Sequence, residues 1–186
     1  LVDICERMDD VGAAIEWCER AKAWAESIEL IDLSDTVKEF ELRRLQLDVS
    51  EETTALLYYH AVGHVCTNQG DWAVELFNEL WSRKETFDTD DEIHEIIASA
   101  GVFLAAHERL LESDAVLPEA EEILTTVGEH QEKLTPGSAM LFERLTEEKI
   151  ETTAEDLQKK AEEQESEMEQ LDLLAAATIL DALDRE

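Results

Sequence analysis

Apolar residues recur every three to four positions along this chain, and almost no stretch alternates apolar with polar over strand length, so helices are predicted nearly everywhere. In residues 10–32, Val11, Ala14, Ile15, Cys18, Ala21, Ala25, Ile28 and Leu30 form one stripe, with Trp17 and Trp24 a heptad apart beside it. Ser34 or Asp35 can cap a second helix that carries Val37, Phe40, Leu42, Leu45 and Leu47. Ser50 opens a third, through Leu56, Leu57, Tyr59, Val62, Gly63 and Cys66, which stops near Asn68 and Gly70. A fourth follows Asp71 with Trp72, Val74, Leu76, Phe77, Leu80 and Trp81. Thr89-Asp-Asp-Glu92 reads as a capping box for a fifth, built on Ile96, Ile97, Ala100, Phe103, Leu104, Leu110 and Leu111. Pro118 and the pair Thr135-Pro136 fit the first turns of two more.

Thr152-Thr-Ala-Glu155 is a second capping box, and the helix it opens is predicted to run to the end of the chain. Residues 155–170 are mostly charged, with Leu157, Ala161 and Met168 as a thin apolar line, whereas 171–183 is nearly continuous Leu, Ala and Ile. An apolar patch of that size must bury itself, against its own domain or in a homodimer. The expected organisation is a helical-hairpin domain over residues 1–150 and a long C-terminal helix over 151–186. The fold class is all-α, antiparallel helical hairpins.

Charge changes this picture most. Forty-seven Asp and Glu stand against fifteen Lys and Arg, a formal net charge of −32 on 186 residues. Self-repulsion on this scale destabilises a compact state in dilute buffer. Molar salt shortens the screening length from about 10 Å at 0.1 M to about 3 Å at 1 M. With 44% apolar residues the chain is too hydrophobic for an acidic disordered tail, so the composition resembles that of a halophilic, haloarchaeal protein folded in concentrated salt. The basic pairs Arg43-Arg44 and Lys159-Lys160 are flanked by acids, and no basic face is offered to nucleic acid or to an anionic membrane. Three cysteines, Cys5, Cys18 and Cys66, show no Cys-x-x-Cys spacing, which points to a reducing, cytoplasmic setting. No run reaches the ~18 apolar residues of a membrane span and no signal peptide is evident. Leu1 falls in what reads as mid-helix, so the chain is expected to be a processed form or part of something longer.

Residues 59–80, Tyr-His-Ala-Val-Gly-His-Val-Cys-Thr-Asn-Gln-Gly-Asp-Trp-Ala-Val-Glu-Leu-Phe-Asn-Glu-Leu, resemble a tetratricopeptide repeat. Tyr59, Val62, Gly63 and Cys66 match the packing positions of its first helix, Gly70-Asp71-Trp72 its turn, and Ala73, Phe77 and Leu80 its second helix. The match departs from the family by about two residues missing after Trp72 and by the absent proline at Lys84-Glu85. An echo follows from Gly101 to Leu124, at a spacing longer than the family period. The resemblance implies a right-handed solenoid or irregular bundle in which Gly63 admits a close helix approach. It further implies a scaffold that holds a peptide or protein in a groove and performs no catalysis.

His60 and His64, four apart on one helix, are the spacing that brings two imidazoles to one metal ion, and Asp91 with His94 adds a second candidate pair. Glu-x-x-His, which helical di-iron sites need twice, does not occur, and the acidic run at 88–92 lacks the Gly and Glu of a calcium loop. No phosphate loop or nucleophile elbow is present. A non-enzymatic interaction module without a cofactor is therefore expected, with Tyr58, Trp72 and Trp81 as partner anchors. A helical metalloprotein using His60 and His64, or a regulatory fragment dimerising through its last helix, are the rival readings.

Overall fold

The computed structural model describes residues 2, 5, 10–26, 34–86, 93–110, 120–128, 133–146 and 152–185, with the backbone alone described at 24–26, 34–38 and 41. The described residues form an all-α protein: nine α-helices and a short 3-10 turn, with no strand among them. The boxes and starts expected at Thr89–Glu92 and Pro118 lie outside the described residues, as does the side chain of Trp24. The chain divides into two compact units, Leu1–Leu57 and Tyr58–Glu186.

In the first unit, α1 (Val11–Glu26) packs on α2 (Ser34–Leu47). Asp10 caps α1 by accepting the Ala13 N–H at 3.0 Å, which satisfies one of the free amides of the first turn. Ala14, Cys18, Leu42 and Leu45 are buried, as the periodicity expects, whereas Val11 of the expected stripe is exposed. Trp17 is half-buried and carries the Arg20 guanidinium 5.0 Å above its ring. Helix α3 (Glu51–Cys66) begins at Ser50, whose hydroxyl accepts the Thr53 N–H, and the boundary between the units falls within it.

In the second unit, the end of α3 turns through Asn68, which takes the left-handed φ of 58° that lets the chain reverse. Helix α4 (Gly70–Ser82) then continues into the 3-10 turn Arg83–Glu85. Helix α5 (Ile93–Leu110) is the centre of the unit. Every residue from Ile97 to His107 is buried, because α4, α6 (Ala120–Gly128), α7 (Pro136–Thr146) and α9 (Glu167–Leu183) all pack against it. Phe77 of α4 stacks on Phe103 of α5 at 5.0 Å, and Tyr58 meets both rings edge-on at 6.3 Å.

The expected C-terminal helix is two helices. Helix α8 (Ala154–Glu162) is opened by a capping box one residue later than the sequence suggests, between Thr153 and Asp156. The Thr153 and Lys160 interactions hold the Asp156 carboxyl below its usual range, the hydrogen bonds from Thr153 being the larger cause. The helix stops at Glu163, and Ser166 caps α9 afresh. Ser166 competes with the helix backbone for hydrogen bonds, which favours a cap over a helix interior. In α9 the apolar residues Leu173, Ala175, Ala176, Ala177, Ile179 and Leu180 are buried, with α5, α7 and α8 packed against the helix, so its apolar half docks on its own unit. Leu174 remains exposed.

Glycine supports two of these crossings, and Gly63 is not one of them, since a Cβ there would meet nothing within 4 Å. At Gly101 a Cβ would lie 2.6 Å from the Trp81 ring, so α4 approaches α5 through this position. At Gly137 it would lie 2.5 Å from the Asp172 carbonyl oxygen, which brings α9 against the start of α7. The close approach expected of Gly63 is therefore supplied elsewhere, at Gly101 and Gly137.

Candidate functional site: the Trp81 groove

The three expected anchors do not share a surface. Tyr58 is fully buried and belongs to the aromatic core, so it offers no face to a partner. Trp72 and Trp81 are nine positions apart on α4, and at about 100° per residue they point to roughly opposite flanks. Trp72, 47% exposed, stacks on His64 at 6.2 Å on the α3 side. Trp81, 8% exposed, faces the α6 side.

Beside Trp81 the surface forms a groove of about 340 Å³, lined by Asn78, Trp81, Ser82 and Lys84 on one wall and by Glu122, Ile123 and Thr126 on the other. Its construction follows from the packing beneath. Helices α4 and α6 both lean on α5, and Trp81 and Ile123 close over Gly101, where a side chain would strike both. Asn78, Ser82, Glu122 and Thr126 are exposed and form the rim, while Ile123 is buried. The Ser82 hydroxyl donates to the Glu79 carbonyl at 2.6 Å and so is fixed in place.

The two cations of the 3-10 turn behave differently. Arg83 is 2% exposed and holds Glu79 through Nη2 at 3.2 Å. Lys84 extends over the groove, its Nζ 5.2 Å from the centroid of the Trp81 ring. Among the described residues no carboxylate is paired with Lys84. The groove thus combines an aromatic floor, one ammonium at its mouth, one carboxylate opposite and neutral polar side chains between.

Among the described residues, the candidates His60, His64 and His94 are not part of a group of three or more potential ligands arranged to hold a metal ion. His64 pairs through Nδ1 with the Gln69 amide oxygen at 2.6 Å, which commits that nitrogen to the turn. The His60 ring lies 6.2 Å from that of Tyr59, His94 sits on α5, and Asp91 lies outside the described residues. Among the described residues no group of three or more His, Cys, Asp or Glu is arranged to hold a metal ion, and no helix is long and apolar enough to cross a membrane.

A second polar constellation is enclosed. The Asp172 carboxylate, 1% exposed, accepts from the Tyr58 hydroxyl at 2.6 Å and the Thr135 hydroxyl at 2.8 Å on Oδ1, and from the Gly137 N–H at 2.6 Å on Oδ2. The Thr135 N–H donates to Ser99 Oγ at 2.9 Å, and Ser138 Oγ lies 2.8 Å from the same oxygen. The carboxylate meets the amide end of α7, where the helix dipole favours negative charge. Burial still pushes its pKa up, against the pull of Tyr58, Thr135 and Gly137. The Tyr58 hydroxyl is pushed well above its usual range, by burial first and by Asp172 next. These groups fasten α3, α5, α7 and α9 together.

Sequence reasoning placed Trp81 at a recognition surface but missed the far wall, because Glu122, Ile123 and Thr126 lie about forty residues on and meet Trp81 only through α5. The available signal was the run of small residues Ala98-Ser99-Ala100-Gly101 in a buried helix. Comparison with protein-family models, with curated proteins and with solved structures gives no match to this chain.

Proposed function

We propose that this protein is a non-enzymatic interaction module that seats a segment of a protein partner in the Trp81 groove. The observation that carries the reading is a Trp face held at the floor of a cleft whose rim is exposed and polar, the arrangement of an aromatic anchor within a polar border. The volume is at the small end of ligand pockets, which run to about 300–1,000 Å³, and suits one or two partner side chains better than a cofactor. The resemblance of residues 59–80 to a tetratricopeptide repeat supports the same reading. A halophilic cytoplasm is the setting in which such an acidic module would work: molar salt screens its field and lets another acidic protein approach.

Thr126 is exposed on the groove wall, so Thr126→Phe fills the cleft without disturbing the core. Peptides selected by display in molar potassium chloride are expected to lose about tenfold or more in affinity for this variant, the loss of a central contact of about 1.4 kcal/mol or above. Trp72→Ala, on the opposite flank, is expected to leave their affinity unchanged. The reverse pattern would move the interface to the Trp72 and His64 edge and refute the groove.

A further inference from the structure

In a chain with 47 acids and 15 bases, an ammonium that sits on an indole with no carboxylate paired to it among the described residues marks a place kept for an anionic group. Resting on the reading of the cleft as a protein-binding site, we infer that the Trp81 groove selects a partner segment in which an Asp or Glu side chain reaches Lys84 while a neighbouring apolar side chain covers Trp81 and Ile123. The contact with the ring holds the Lys84 ammonium at the mouth of the cleft, so less side-chain freedom is lost when a carboxylate arrives. Arg83 cannot take this part, because it is buried and engaged with Glu79. Glu122 on the other wall repels an acid placed there, which fixes the direction in which the segment lies.

The net charge of −32 works against an acidic segment at long range, and the Lys84 contact works for it at short range. Salt separates the two: at about 3 Å screening length the distant field is removed while a pair in contact persists in part. The segment is therefore bound better in concentrated salt, the opposite of ordinary charge-driven association.

The test uses blocked hexapeptides that place one Glu, Gln or Lys beside a Phe in a Ser-Gly sequence, titrated into the full chain from submolar to multimolar potassium chloride. The Ile123 methyl and Trp81 indole resonances report binding in the cleft. The expected result is that the Glu peptide binds about threefold more tightly than the Gln peptide, the range of an exposed ion pair. Its affinity rises with salt while that of the Lys peptide falls. The preference disappears in Lys84→Gln and survives in Lys84→Arg. Equal binding of Glu and Gln peptides, or a preference that persists in Lys84→Gln, overturns the inference and leaves the groove standing. If no peptide shifts either resonance, both fall.

Discussion

A buried carboxylate is stable only where its partners replace lost water, and Asp172 has donors from Tyr58, Thr135 and Gly137 for its two oxygens. Tyr58→Phe removes the hydroxyl and is expected to cost about 1–3 kcal/mol at neutral pH, the usual cost of a lost bond to a buried charge. Because burial raises the Asp172 pKa in the folded state, the stability linked to its protonation is full below the unfolded value of 3.8 and is lost as pH rises through the folded value. Without Tyr58, which pulls that pKa down, the folded value climbs further. The Tyr58→Phe penalty is therefore larger at pH 7 than near pH 4, measured by urea unfolding of both proteins at each pH; a constant penalty would contradict it. His107 runs the other way. Burial lowers its pKa although Nδ1–H donates to the Phe103 carbonyl at 2.8 Å, so its contribution is present above 6.5 and lost as pH falls through the folded value. Taking the difference between the two proteins cancels it. In the sequence Asp172 is a lone acid between Leu171 and Leu173 in an apolar run, and its partners on α3 and at the start of α7 cannot be read from spacing.

Helix existence was legible because the 3.6-residue period and the caps agree at Ser50 and Thr135-Pro136, and Asn68 stops α3 where expected. The break between α8 and α9 was not, since Glu and Gln at 162–165 are good helix formers and only Ser166 signals a restart. Crossing points were misplaced for a related reason: composition shows that a glycine is small but not which helix comes to meet it. Gly101→Ala tests the corrected assignment. Its Cβ would stand 2.6 Å from the Trp81 ring, so the ring must move. The expected loss is about 1–3 kcal/mol, the range for overpacking a well-filled core, even though Ala favours helix by up to about 1 kcal/mol. The displaced ring also narrows the groove. Gly63→Ala, in open space, is expected to be neutral or slightly stabilising. Thermal unfolding of the pair decides it: equal melting temperatures would show that α4 and α5 do not rely on Gly101.

For the molecule as a whole, each of the two units buries apolar residues, while the chain carries a net charge of −32. Among the described residues, the pairs Arg20 with Glu16, Arg144 with Asp184 and Arg185 with Asp181 are exposed and worth little each. Under the proposed halophilic reading, the fold depends on ions from solution, and so does the proposed approach of an acidic partner to the groove, because both need the long-range field screened. Far-ultraviolet circular dichroism melts across potassium chloride, from millimolar to multimolar, test this most directly. The account predicts a melting temperature that climbs steadily with salt, with helix content incomplete at the lowest concentrations; melting curves that superimpose across the series would contradict it.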